Sequence, residues 1–421
     1  MKKNVFLLLC MLLVCALFTG CNKNEQDIAV KPSDTQLVFD NHASQGDAKF
    51  LNSVYPFSNK TGFVSYSGKL PGDETYSNVY YFGTYNMDTK ELIEAGKYNS
   101  WLYASEDGEI IMNDRYLYVW GSFRADEGTI GSQINLIRVD MLEKKTEVLD
   151  TINDNTSSIP NMSKLSENEL ISIIVRHRDV DIVEGVTAYT TQIVKHNSIT
   201  GEAKTIIENK YSYTEGDTDS DGILLESVCA IDGKVYAVAR QKVKGEWKYY
   251  FDTYDDQGIL LSRIDAPALE HSMKNNPAFS LYVVGNYFTI TTTSMGKQAM
   301  YRINGDQIEV FIEHEQKMLF PNMSNLYSSE NTPYVYYGMN VYAYSEFYQE
   351  MKENIPVYAL KIDTGEIKTI KIDEIDQERP HLNRLYVDEI GNLVIVLTEN
   401  KLDFLSREYF ISSEALLKLL K

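Results

Sequence analysis

Residues 334–373 read YVYYGMNVYAYSEFYQEMKENIPVYALKIDTGEIKTIKID. Tyr334 to Tyr348 alternates apolar and polar residues, Lys352-Glu353-Asn354 turns the chain, and Pro356 to Ile362 returns it. Asp363-Thr364-Gly365-Glu366 then turns it again into Ile367 to Ile372. A period of two with β-branched and aromatic residues is the signature of strands, and Asx and Gly punctuate hairpins. The segment is therefore a meander of antiparallel strands.

The same order recurs along the chain. Gly62 to Ser67 pairs with Val79 to Tyr85 before Asp88-Thr89, and Tyr116 to Phe123 pairs with Ile134 to Val139 before Asp140 and a strand to Leu149. Leu170 to Arg176 pairs with Thr190 to His196 before Thr200-Gly201-Glu202. Val235 to Gln241 pairs with Trp247 to Thr253 across Lys244-Gly245, and Tyr287 to Thr293 pairs with Gln298 to Ile303 across Gly296-Lys297. A last copy, Leu393 to Leu397 with Arg407 to Ile411, has no strand after it. The turns at Asp88, Asp140, Asn197, Asp255, Asn304 and Asp363 lie 52, 57, 58, 49 and 59 residues apart. Hairpins at this spacing read as an all-β propeller over residues 37–421, with seven blades inside a range of six to eight. Tandem β-sandwiches are the alternative, and the regular spacing favours the propeller. Leu37 to Phe39 is expected to supply the outer strand that the last unit lacks, closing the ring and removing an open edge. Helical signal is confined to Ser413–Lys421, where Ser412 or Ser413 caps a turn of leucines.

Val357 to Glu366, VYALKIDTGE, resembles a blade end of the quinoprotein-like propeller superfamily. The resemblance implies a fold and says little about activity. The vicinal cysteines of many quinone-dependent propeller enzymes are absent, which argues against redox chemistry.

The N-terminus carries Lys2-Lys3, an apolar run of 14 residues from Val5 to Phe18, and Leu17-Phe18-Thr19-Gly20-Cys21. Basic residues, an apolar core and small residues before a cut are the parts of an export signal. The run is short for a spanning helix, which needs about 20 residues. The last five residues resemble a bacterial lipobox. That resemblance implies a signal peptide over residues 1–20, palmitate-type acyl chains on Cys21, and an extracytoplasmic protein anchored to the cell membrane or the outer membrane. Asn22 is not the Asp that favours inner-membrane retention in Gram-negative lipoproteins. Residues 21–36 are mostly polar and are expected to form a flexible tether. Cys10 and Cys15 leave with the signal, so Cys229 has no disulfide partner within the chain and reads as a small core residue.

The formal net charge is −20, and loss of Lys2 and Lys3 makes it −22. Nucleic-acid binding needs clustered Lys and Arg, so nucleic acid is not an expected partner. The surface is also unsuited to anionic headgroups.

Asp217-Thr218-Asp219-Ser220-Asp221-Gly222 has the opening of a calcium loop: acids at alternate positions, then a Gly for the bend. Asp217, Asp219, Asp221 and Glu226 are the candidate ligands. The acid expected at the ninth position is missing, since Leu225 stands there. His177-Arg178-Asp179 lacks the downstream spacing of a kinase loop. The six histidines show no metal-ligand spacing, and no nucleophile elbow is present. Of the 30 tyrosines, Tyr334, Tyr336, Tyr337, Tyr342, Tyr344 and Tyr348 crowd one blade. Aromatic rings suit sugar or protein surfaces, and they also pack well between sheets.

These features give two functional expectations. The first is a non-enzymatic, membrane-anchored propeller that binds a protein or an envelope or extracellular glycan. The second is a carbohydrate-active hydrolase or lyase with a carboxylate pair at the propeller channel.

Overall fold

Each expected hairpin pairs with the strand before it and the strand after it, giving seven sheets in chain order. The computed structural model describes residues 27–30, 35–40, 50–58, 61–69, 78–86, 89, 92–99, 103–112, 115–124, 132–152, 161–177, 186–273, 278–292, 298–314, 317–319, 333–340, 357–372, 380–387, 391–399 and 405–420. Two strands, β1 (Asp27–Val30) and β2 (Thr35–Asp40), precede the blades. Blade 1 holds β3 (Phe50–Ser58), β4 (Thr61–Lys69), β5 (Asn78–Asn86) and β6 (Leu92–Asn99). Blade 2 holds β7 (Tyr103–Met112), β8 (Tyr116–Arg124), β9 (Ser132–Asp140) and β10 (Lys145–Ile152). Blade 3 holds β11 (Asn161–Ser166), β12 (Glu169–His177), β13 (Val186–Asn197) and β14 (Ala203–Thr214). Blade 4 holds β15 (Leu224–Ile231), β16 (Lys234–Val243), β17 (Glu246–Tyr254) and β18 (Leu260–Asp265). Blade 5 holds β19 (Ala278–Val284), β20 (Tyr287–Thr292), β21 (Gln298–Asn304) and β22 (Gln307–His314). Blade 6 holds β23 (Lys317–Leu319), β24 (Tyr334–Asn340), β25 (Val357–Lys361) and β26 (Ile367–Ile372). Blade 7 holds β27 (Pro380–Val387), β28 (Leu393–Glu399) and β29 (Leu405–Ile411). The protein is a seven-bladed β-propeller.

The ring closes as the missing strand required. β2 pairs antiparallel with β29, with Thr35 opposite Ile411 and Asp40 opposite Arg407, and becomes the outer strand of blade 7. β1 differs from the sequence expectation. It lies within the stretch read as a tether, yet it adds parallel to β26, with Asp27 opposite Thr369 and Val30 opposite Ile372. An exposed outer strand offers a row of free backbone groups, and four residues suffice to use them.

The core lies between blades rather than inside any one of them. A sheet in a propeller is covered on both faces, so its strands are apolar in both phases. In β16, Val235, Ala237 and Ala239 pack towards blade 3, while Val238 packs towards blade 5. Phe251 of blade 4 packs tilted against Phe288 of blade 5 at 4.4 Å, and Phe288 stacks on Tyr301 at 5.1 Å. Burial of each such ring contributes about 2–3 kcal/mol, more than the 0.5–1.5 kcal/mol of ring geometry. Cys229 is buried in this layer, as expected of a core residue.

Two helical segments complete the described chain. A 3-10 turn (Pro267–Leu269) leads into α1 (Glu270–Met273), an element that the sequence reading did not anticipate. α2 (Ser413–Leu420) buries Leu416 and Leu420. Its cap is Ser412, whose Oγ accepts the Ala415 N–H at 3.2 Å, while the Ser413 N–H donates to Asn392 Oδ1 at 2.8 Å. The Leu420 carbonyl accepts bonds from Lys368 Nζ and the Tyr334 hydroxyl, which satisfies the helix end. Among the described residues no helix is long and apolar enough to cross a membrane.

Antiparallel order sorts the connections onto two faces. Turns from first to second strand and from third to fourth lie on one face, the Asx-turn face. Turns from second to third strand, and connections between blades, lie on the other, the hairpin face. Hydrogen bonds across neighbouring turns show this grouping: Met141 N–H donates to Arg115 O at 2.9 Å, and Ser198 N–H to Asn168 O at 2.8 Å.

Candidate functional site

On the hairpin face, blades 3 and 4 assemble a cluster of aromatic and charged side chains. Arg240 and Lys242 are two apart on β16 and so share one side of the sheet. Tyr211 and Tyr213 stand in the same relation on β14 of the neighbouring blade. Trp247, on β17, is directly opposite Lys242 and diagonal to Arg240. The Arg240 guanidinium lies over the Trp247 ring at 4.5 Å. Lys242 Nζ is 4.4 Å from the Tyr213 ring centroid and donates to its hydroxyl at 2.6 Å. The Tyr213 and Trp247 rings are 6.2 Å apart, and Tyr189 stacks on Tyr211 at 6.4 Å. Tyr213, Lys242 and Trp247 are half-buried, so ring faces and donors remain in reach of solvent.

Glu226 is the acid at the floor of this cluster. The register of β15 on β16 shifts between Leu225 and Ser227, so Glu226 occupies a bulge. A bulge re-aims one side chain out of the alternation. Here it places the carboxylate against Arg240 Nε, with side-chain exposures of 5% and 18%. Breaking such a pair costs more than forming it returns, because the remaining charge is left dry. Burial pushes the Tyr211 hydroxyl up to about 12, against the opposing pull of Arg240. It also raises Tyr249. Both phenols are therefore neutral hydrogen-bonding groups at ordinary pH.

A rigid acidic loop rims the cluster. Ser220 N–H donates to Lys242 O at 3.0 Å, Gly245 N–H to Thr218 O at 2.7 Å, and Lys242 N–H to Ser220 Oγ at 3.1 Å. The loop from blade 3 is thus stitched to the hairpin turn of blade 4. Gly222 makes this fit: its φ is +79°, and a Cβ there would lie 2.2 Å from the Lys210 carbonyl oxygen.

The same loop carries the expected calcium ligands. Asp219 Oδ1 accepts the Lys244 N–H at 2.8 Å and Oδ2 accepts Thr218 Oγ1 at 2.9 Å. The first of these contacts is the main reason its pKa is held down. The main chain of Asp221 pairs in both directions with Ser212 at 2.8 Å, Asp217 N–H donates to Thr214 O at 3.0 Å, and Glu226 holds Arg240. Among the described residues no three His, Cys, Asp or Glu side chains converge to hold a metal. The alternating acids are spread along a loop pinned to its neighbour, rather than gathered round one centre.

Cys21 lies outside the described residues, as do Tyr342, Tyr344 and Tyr348. Tyr334, Tyr336 and Tyr337 are buried in the layer between blades, so on this blade the tyrosine signal marks core. The sequence reading did not single out Trp247, Arg240, Lys242 or Tyr213. The available signal was Arg-x-Lys before a turn followed by Trp, which places cations and an indole across one hairpin. Every clear carboxylate shift among the described residues is downward. Asp140 is lowered by Arg115, Glu147 by Lys145, Glu208 by Gln192, Asp219 by the Lys244 N–H and Asp256 by Gln257.

No family model matches the chain. No curated protein matches it. Solved structures are similar in outline. An oligogalacturonate lyase from Vibrio parahaemolyticus matches with a TM-score of 0.48 and 10% identity, over 90% of this chain and 96% of that one. The N-terminal domain of Nup159 matches with a TM-score of 0.45 and 9% identity, over 92% and 99%. The β-propeller domain of the Trilobed protease from Pyrococcus furiosus matches with a TM-score of 0.41 and 11% identity, over 71% and 80%. At such identity no activity carries over from any of them.

Proposed function

We propose that this protein is an extracytoplasmic, lipid-anchored propeller that binds a protein or glycan partner through the cluster on blades 3 and 4. The observation that carries the reading is the Tyr213–Trp247–Arg240–Lys242 group. It combines ring faces and cation donors on one half-exposed surface, set beside a loop hydrogen-bonded to its neighbour. Rigid aromatic surface with Arg is the composition of binding hot spots, and it also suits the apolar faces and hydroxyls of sugars. The aromatic and cationic cluster supports recognition directly, so the binding reading is preferred over the hydrolase or lyase. Anchoring rests on the lipobox-like Leu17–Cys21.

Two experiments test this. Cys21→Ala is expected to move the protein from the membrane to the soluble fraction; retention in the membrane would remove the anchor. Envelope glycans and peptidoglycan fragments titrated onto the full chain are expected to change its fluorescence through Trp247. A change that persists in Trp247→Phe would place binding elsewhere.

A further inference from the structure

Three consecutive blades carry an exposed apolar residue at the same turn. In blade 2, Asp140 Oδ1 accepts the N–H groups of Leu142 and Glu143, both at 3.1 Å. In blade 3, Asn197 Oδ1 accepts those of Ile199 and Thr200, both at 2.9 Å. In blade 4, Asp255 Oδ1 accepts those of Gln257 and Ile259 at 2.9 and 2.8 Å. The Asx side chain fixes each turn and leaves its apolar residue outermost: Leu142, Ile199 and Ile259 are 71%, 62% and 63% exposed. Single exposed leucines need no explanation. Leu142 and Ile199 stand two residues after their Asx and Ile259 four after its own; three such residues in the third-to-fourth-strand turns of adjacent blades, on one face, do need one.

The path of the chain into the ring supplies a second observation. β1 runs parallel to β26, which descends from the Asp363–Glu366 turn. Asp27, the first residue of β1, therefore lies towards the Asx-turn face. Thr369, opposite Asp27, is four residues below Gly365, a climb of about 13 Å. Six residue steps separate Asp27 from Cys21 and span at most about 20 Å. Acyl chains on Cys21 would thus hold the blade 6 rim of this face within about 10 Å of the lipid surface.

We infer that the Asx-turn face of the propeller lies against the bilayer. The short anchor pins the blade 6 side, and Leu142, Ile199 and Ile259 settle into the headgroup layer on the blade 2–4 side. The occupant is a neutral, zwitterionic lipid surface, because a lipidated chain without Lys2 and Lys3, of net charge −22, is repelled by an anionic one. The inference rests on the anchoring proposed above. It adds an orientation: the cluster of blades 3 and 4, on the hairpin face, points away from the membrane.

The test uses the full lipidated chain in phosphatidylcholine vesicles. An environment-sensitive fluorophore is placed on Ile199→Cys, on Ile259→Cys, or on Glu246→Cys, the first residue of β17 beside the hairpin turn of the opposite face. Cys229 is buried, so the introduced thiol is the one that reacts. Unchanged melting temperatures check that each variant folds. Quenching by spin-labelled lipid is expected to be at least threefold stronger at positions 199 and 259 than at 246. Equal quenching at the three sites, or stronger quenching at 246, in a chain that floats with the vesicles overturns the orientation alone. A chain that does not float with them overturns the anchor and the orientation together.

Discussion

His196 makes stability depend on pH in a window where few other groups act. It is the last residue but one of β13, is 2% exposed, and its Nε2 has no hydrogen-bond partner among the described residues. Burial between blades 2 and 3 lowers its pKa to about 4, against the weaker opposing pull of Asp150 on β10. In the unfolded chain the imidazole titrates near 6.5. The folded protein therefore keeps the ring neutral, and its contribution is fully present above pH 6.5. As pH falls the unfolded chain takes up a proton that the folded chain refuses, and stability is lost until about pH 4. A shift of this size is worth about 3 kcal/mol in full and about 2 kcal/mol between pH 7.5 and 5. For a chain this long, 2 kcal/mol corresponds to about 2–3 °C in melting temperature. The assay is melting of the wild type and His196→Gln at pH 7.5, 6.5, 5.5 and 5.0. The wild type is expected to lose about 2–3 °C more than the variant over this range. Parallel curves, or an imidazole that titrates near 6.5 in the folded protein, would refute the reasoning.

Other perturbations have equally definite outcomes. Gly222→Ala and Gly258→Ala each place a Cβ 2.2 Å from a backbone oxygen at φ of +79° and +83°, so each should lower the melting temperature. The left-handed backbone alone costs about 1–3 kcal/mol. Gly245→Ala, with nothing within 4 Å, is the milder control. Asp252 is fully buried and accepts both Arg263 nitrogens at 2.7 Å and the Tyr254 hydroxyl at 3.0 Å. Asp252→Ala should destabilise by about 3 kcal/mol, read in denaturant unfolding. Lys368→Met removes a donor from the Leu420 carbonyl, so amide exchange in α2 should accelerate while that in blade 3 stays unchanged.

The fold was legible where strands alternate and turns are punctuated. The strand pairs of the expected hairpins and the closing strand around Leu37 are in place among the described residues, because Asx and Gly turns have a local cause; the turns at Asp88, Gly296-Lys297 and Lys352–Asn354 lie outside them. Inner strands such as Leu224–Ile231 were not singled out. They are buried on both sides, so LLESVCAI carries no alternation to read. β1 escaped notice because Ile28-Ala29-Val30 is too short to signal a strand, and its stability comes from the free edge of β26. The contacts of the calcium motif were not legible, because spacing along a chain does not reveal which backbone groups a carboxylate will meet; Asp219 meets Lys244. The cluster of blades 3 and 4 was illegible for a related reason: Tyr213 and Trp247 are far apart in sequence and meet only when two blades pack.

Photo-crosslinking in the intact envelope tests the central claim most directly. A photoreactive residue replaces Tyr213 in the full chain, with and without Trp247→Ala. One recurrent adduct, protein or glycan, is expected from position 213. It should be depleted by Trp247→Ala in line with the loss of about 2 kcal/mol, or roughly 30-fold in affinity, that removal of an aromatic anchor brings. No adduct from position 213, or an adduct indifferent to Trp247→Ala, would contradict the account.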